Sequence, residues 1–360
     1  MKTKILPFVL LLTILQTSAF AQYVDIRLSI KVILNPTNSA RPAGVNNALF
    51  YAAAESSNEW MARYWRGYRF RVTEVLYIGG PSEGGTNGPS KWWWIWNDLG
   101  IDMRDQPYWG RFQSDTKTNN LYRLRNDQVN FYVIRPATSG TGGACPIPPG
   151  EVSDTACVGL VNDGPFWLVH ETGHFFGLSH THGGCGCPST SGCSLMNGYW
   201  VGDDGIADTL PEGAGDFCFT TRDHISRANF NKFYTNCTPS ERFLVDNTYF
   251  NVMSYHNPNT KDQVEDVMTE LQLDGHADTA GSYRAAFVSG HTWFARPGIF
   301  PSGSGSSTDE YQLLSLAINA ADSFGGDLVA LRPGSYNQQL TISKPVTLRA
   351  TRAGWATIGK

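Results

Sequence analysis

Residues 24–34 read VDIRLSIKVIL, with Val, Ile, Leu, Ile, Val and Leu at every second position. That period belongs to a strand with one buried face, so the folded part should open on a half-buried strand. Residues 46–66, rich in alanine and aromatics and closed by Gly67, read as a helix. Residues 69–78 and 128–135 read as two further strands, and ACVGLVN (156–162) as a short fourth. Between them, residues 79–127 are rich in Gly, Ser, Asn and Trp, including SKWWWIW at 90–96. Such aromatics pack locally under a long loop more often than they form a carbohydrate-stacking surface. Asp163-Gly164-Pro165 opens another helix, since proline suits a first helical position. After residue 180 the periodicity fades. PSGSGSS (301–307) has the composition of a linker, DEYQLLSLAINAA (309–321) reads as a helix, and short apolar strands cut by turns follow.

The first residues follow a different pattern. Lys2 and Lys4 precede an apolar run from Ile5 to Leu15, and Ala19-Phe20-Ala21 fits a small-x-small cleavage site. Residues 1–21 are expected to be a secretory signal peptide, because the apolar run is shorter than the ~20 residues of a membrane span. No later segment reaches span length. Its removal takes two lysines and moves the net charge from −4 to 26 − 32 = −6. Mildly acidic and without a basic tract, the chain is not built for nucleic acid.

All seven cysteines lie between 145 and 237, which suits an oxidising, extracellular compartment. Cys145 and Cys157, flanking a Pro/Gly-rich loop, are expected to pair. Cys185 or Cys187 is expected to reach forward to Cys218 or Cys237. A structural zinc site at the crowded Cys185, Cys187 and Cys193 is the rival use, but no CxxC pair is present.

The chemistry concentrates at residues 170–180, HETGHFFGLSH, which hold three of the eight histidines. On a helix His170 and His174 share a face, with Glu171 one residue round. Two neutral imidazoles can hold Zn2+ while the carboxylate takes a proton from a water that the metal acidifies. His180 would point away on a continuous helix. Gly177 can adopt positive φ, end the helix and bring His180 back as third ligand, leaving a fourth position open for water. His182 competes for the third place, but its spacing is less favourable. By composition alone the full HExxHxxGxxH pattern would arise roughly once in 10⁵ such chains.

This motif resembles that of the metzincin zinc metalloproteases. NVMSYH (251–256) is similar to their methionine turn, with Met253 beneath the metal and Tyr255 as a donor to the oxyanion or a distant ligand. Within that group, HETGHFFGLSHTHGGC, DDGIADTL (203–210) and NVMSY resemble the pappalysin-type, ulilysin-like family. Leu210 stands where that family usually has proline, and Cys187 and Cys193 look additional. The resemblance implies an α+β fold, with a twisted mixed sheet and two long helices above the cleft and an irregular, disulfide-pinned lower subdomain. It also implies calcium, for which Asp203, Asp204 and Asp208 are the candidates. LVALRPGSYNQQLTISKPVTLRA (328–350) resembles the first coil of a right-handed parallel β-helix.

The expected organisation is a signal peptide at 1–21, a catalytic domain at 22–297, a Gly/Ser linker at 298–308 and a β-helix-like segment at 309–360. The expected function is a secreted zinc endopeptidase acting on proteins or peptides. In it His170, His174 and His180 hold zinc, and Glu171 serves as base with help from Tyr255. The alternatives are an adhesion or carbohydrate-binding protein on a protease scaffold, with a surface or glycan partner for the C-terminal segment, and a zinc hydrolase of non-peptide bonds. Retention of Glu171 argues against the first, because a structural zinc needs no base.

Overall fold

The computed structural model describes residues 23–64, 67–135, 143–149, 152–159, 166–183, 185, 193–213, 221–254, 268–323, 326–351 and 356–359. The expected signal peptide and Tyr255, Cys187 and Cys218 lie outside the described residues. In chain order the elements are β1 (Val24–Leu34), α1 (Asn47–Tyr64), β2 (Tyr68–Gly79), the short turn α2 (Lys91–Trp93), α3 (Tyr108–Thr118), β3 (Val129–Val133), β4 (Ala156–Val158) and α4 (Phe166–Phe175). There follow β5 (Ser194–Met196), β6 (Tyr199–Val201), α5 (Arg222–Phe230), α6 (Pro239–Tyr249), α7 (Glu270–Gly281), β7 (Thr292–Ala295), α8 (Leu314–Ala320), β8 (Leu328–Leu331), β9 (Gly334–Tyr336), β10 (Thr347–Ala350) and β11 (Ala356–Ile358). Among the described residues no helix is long and apolar enough to cross a membrane.

The main sheet runs in the order β2-β1-β3-β4, and its pairs are all parallel. The expected mixed sheet is reduced to this, with antiparallel pairing of β4 only at the isolated bridge between Ala144 and Val158. Helix α1 is the crossover that lets β1 and β2 run the same way. Of the two helices expected to be long, α1 has 18 residues and α4 only 10, because Gly177 follows so soon.

Strand β1 is buried on both faces, not half-buried as its alternation implied. Val24, Ile26, Leu28, Ile30 and Val32 enter the core that also holds Leu168, Val169 and Met253. Asp25, Ser29 and Lys31 on the other face are buried too, each with a partner, while Arg27 is half-buried. Asp25 meets Arg69, Ser29 donates to Glu74, and Lys31 donates to Asn130. Next to them, Trp92, Trp93, Trp96, Trp109, Phe112 and Tyr122 build a second core against Tyr132 and Ile134. The tryptophan run is thus mainly interior packing, with Trp94 exposed.

At the C-terminal end β7, β8 and β10 stack in parallel in the order β10-β8-β7, and β9 pairs in parallel with β11. Leu314, Ala317 and Ile318 of α8 pack with Ala295, Val329, Leu331 and Tyr336. The domain boundary expected at 297 therefore cuts a sheet, since β7 precedes it and β8 follows. Residues 298–308 are not a free tether either. Gly305 accepts from Phe294 N (2.8 Å), and Ser307 N donates to Asp278 on α7 (2.9 Å). Composition signalled flexibility, but glycine and serine here let the chain hug the stack. Phe294, Leu328 and Ala330 share a core with Leu168, Val169 and Phe175 of α4.

Candidate metal centre

Trp167, Leu168, Val169 and Phe175 anchor α4 in the core. His170 and His174 lie on one face of it, their rings edge to face with centroids 4.8 Å apart. The helix ends at Gly177, whose φ is 93°, and Leu178 N reaches back to Gly173 O (2.9 Å). An L side chain would be strained in that conformation, and its Cβ would stand 2.8 Å from Thr279 Oγ1 on α7. The reversal brings His180 Nε2 to 2.9 Å from His174 Nε2 and 3.2 Å from His170 Nε2.

The tautomers follow from the partners. His170 Nδ1 lies 2.6 Å from Val252 O and His174 Nδ1 2.7 Å from Leu178 O. A carbonyl oxygen only accepts, so each Nδ1 carries the proton and each Nε2 presents a lone pair. Burial, reinforced by the neighbouring histidines, lowers His174 to about 3 and His180 well below its ordinary range, so these rings are neutral at neutral pH.

Lone pairs crowded on one small space repel unless a cation lies among them. Tetrahedral zinc with N ligands at ~2.0–2.1 Å sets neighbouring nitrogens roughly 3.3 Å apart, close to the spacing here. The donor set fits zinc. Among the described residues these three histidines are the one group of His, Cys, Asp or Glu side chains converging in this way. His182, the rival third ligand, instead stacks on the His180 ring, with centroids 4.8 Å apart and planes 17° apart.

Glu171 is 4% exposed. Its carboxylate lies against Gly143, where a Cβ would stand 2.7 Å from Glu171 Oε1 and 2.5 Å from Val158 O. Ala144 exchanges backbone hydrogen bonds with Val158 (2.9 and 2.8 Å), so the peptide groups of Gly143 and Cys145 face away from β4.

Met253 is fully buried with its sulfur against Gly173. The residues that sequence reading missed are those around the histidines and Glu171: the carbonyls of Leu178 and Val252, with Gly173 against Met253 and Gly143 against Glu171. Gly173, inside the histidine motif, was the one legible signal among them.

Two disulfides are present among the described residues, one of them as expected. Cys145 and Cys157 form a disulfide, tying the Ala144 edge to β4. Cys185 pairs with Cys193, eight residues on, so it is not Cys185 that reaches forward; the alternative from Cys187 to Cys218 lies outside the described residues. The cause is the β5–β6 hairpin, which folds back so that Gly202 packs against Cys185 and the His182 carbonyl. Cys237 is a buried free thiol.

The aspartates expected to bind calcium accept hydrogen bonds from the chain around them. Asp203 accepts from Gly205 N (3.0 Å), and Asp208 from Leu271 N (3.0 Å) in the first turn of α7. Asp204 accepts from Ile206 N (3.0 Å), Thr209 Oγ1 (2.7 Å) and Gln272 Nε2 (3.4 Å). Burial raises its carboxyl to about 6. Among the described residues these three carboxylates do not form a group whose ligand atoms converge.

No family model matches the sequence, and no curated protein matches it. Among solved structures the chain is similar to mature mirolysin of Tannerella forsythia in complex with a cleaved peptide. That likeness has 16% identity and a TM-score of 0.40, over 74% of this chain and 95% of that one. A chaperone–substrate complex is similar at 12% identity and a TM-score of 0.24, over 46% and 26% of the two chains. At such scores neither likeness assigns a fold or an activity, and the reading rests on the chain's own residues.

Proposed function

We propose that the protein is a zinc-dependent endopeptidase of the metzincin type, exported from the cell. The observation that carries this is the convergence of three histidine Nε2 atoms beside a buried glutamate at the edge of a sheet. The two disulfides support an oxidising compartment.

His170, His174 and His180 would hold the ion. When bound, zinc supplies Lewis acidity, bringing the pKa of a water from 15.7 to about 7 and polarising the scissile carbonyl. Glu171 takes the proton of the attacking water and delivers it to the leaving nitrogen. Burial keeps that carboxylate away from bulk solvent, and the missing side chain at Gly143 leaves the carboxylate room to lie against the backbone. Tyr255 is assigned the donor to the oxyanion on the strength of the methionine-turn resemblance.

Glu171→Gln tests the reading. The variant should retain stoichiometric zinc by elemental analysis yet lose casein hydrolysis by at least 10²-fold, the scale of general-base contributions. Casein turnover near wild type in zinc-replete Glu171→Gln would overturn it. Casein untouched by the wild type, with an ester or glycan cleaved instead, would move the site to another class of hydrolase.

A further inference from the structure

His170 donates from Nδ1 to the Val252 carbonyl, and that oxygen belongs to the same peptide group as Met253 N–H. The other end of this peptide plane is also held, because Met253 N donates to Asn251 Oδ1 at 2.9 Å. One amide is thus gripped from both sides, by a metal-ligand histidine and by an asparagine side chain.

The asparagine is itself fixed. Its Nδ2 donates to Gln272 Oε1 (2.8 Å) and to Asn247 O (3.1 Å), while Gln272 Nε2 donates back to Asn251 Oδ1 (3.3 Å). Backbone partners settle both amide orientations. Met253 N needs an oxygen at Asn251, and Thr269 N needs one at Gln272 (3.0 Å). Gln272 also completes the capping box of α7 through Thr269 Oγ1 (3.2 Å). Neither side chain is exposed. Buried, reciprocally bonded amides are costly to disturb, since removing one strands the other's polar groups.

We propose that Gln272 and Asn251 are positioning residues of the metal centre, which clamp the Val252–Met253 peptide so that its carbonyl holds His170 in the ligating tautomer and rotamer. The proposal rests on the zinc reading of the three-histidine site. Donation from Met253 N to Asn251 also polarises the peptide, making Val252 O a better acceptor and His170 Nε2 a better donor to the metal. Partners that orient a ligating histidine in this way typically change metal affinity by about 10–100-fold when removed.

The experiment measures zinc affinity by competition with a chromophoric chelator, and the visible spectrum of the Co2+-loaded protein, for full-length wild type, Gln272→Met and Asn251→Ala. Val245→Ala, a cavity in the buried face of α6, serves as the control for plain destabilisation. Melting of the metal-free proteins ranks the variants. Gln272→Met and Asn251→Ala should bind zinc about 10–100-fold more weakly with an altered Co2+ spectrum, whereas Val245→Ala should melt lower and keep wild-type affinity and spectrum. If Gln272→Met does not fold, Gln272→Glu keeps the acceptor for Thr269 N and loses the donor to Asn251. It should then show roughly a 10-fold loss, the lower end of that range. Wild-type zinc affinity and Co2+ spectrum in the clamp variants overturn the proposal. A wild type that binds no zinc overturns instead the reading of the site on which it rests.

Discussion

Met253 and Gly173 touch where the turn at 251–254 passes under α4: a Cβ on the glycine would stand 2.6 Å from the methionine sulfur. In an open site the flexible methionine could swing away, but Met253 is fully enclosed. Alanine in mid-helix would normally gain about 1 kcal/mol over glycine. Gly173→Ala should instead be destabilising by roughly 1–3 kcal/mol, the cost of overpacking, with weakened metal binding. Urea denaturation with and without zinc checks this; a more stable variant would mean the turn yields freely.

Lys31 predicts an unusual pH profile. It is fully buried in the central strand, and burial lowers it to about 7, with Glu74 pulling the other way and Arg125 adding to the fall. The folded chain therefore binds fewer protons than the unfolded chain between about pH 7 and the ordinary lysine value. Stability should rise with pH through that window and carry the full penalty below it. Lys31→Met should flatten the rise and be more stable at pH 6, since Asn130 Oδ1 still accepts from Arg125 N (2.8 Å). Denaturation midpoints from pH 6 to 10 measure it.

The sequence read alone implies that a chain ending near Phe300 would keep the catalytic fold. The structure predicts the opposite. Arg332 grips both oxygens of Asp274 on α7 (3.0 and 2.7 Å), and burial already raises that carboxyl to about 6. Arg332→Met leaves the carboxylate unpaired in a largely buried place and should cost about 3 kcal/mol at pH 8, less at pH 5 where Asp274 takes up a proton. Removing residues 301–360 should unfold the metal domain at 37 °C, read by circular dichroism and zinc retention.

Gly143→Val should act on chemistry more than on metal. Its side chain would press on Glu171 and on the Val158 carbonyl, and the latter is backbone that cannot swing aside. Zinc content should stay at wild type while kcat/KM on a peptide falls at least about tenfold, or roughly 1.4 kcal/mol. Unchanged turnover would show that this edge is not where the substrate lies.

Much of the candidate centre was legible locally. The four-residue spacing of His170 and His174, and a glycine able to adopt positive φ before His180, are properties of a few neighbouring residues. So was the strand at 24–34, whose period of two survives in β1, and the inward packing of the tryptophan run. These features follow from backbone geometry that any short stretch carries with it.

Only the tertiary structure decided what lies opposite. Lys31 reads as a solvent-facing position until the aromatic layer closes over β1. Cys193 reads as surplus until a hairpin turns it back to Cys185. Asn251 and Gln272, 21 residues apart, show no pattern that marks them as partners, and β7 looks like the end of one domain until it pairs with β8. Periodicity records which face of an element is apolar. It does not record which element covers that face, because sheet order and long-range closure are set by how whole surfaces fit together.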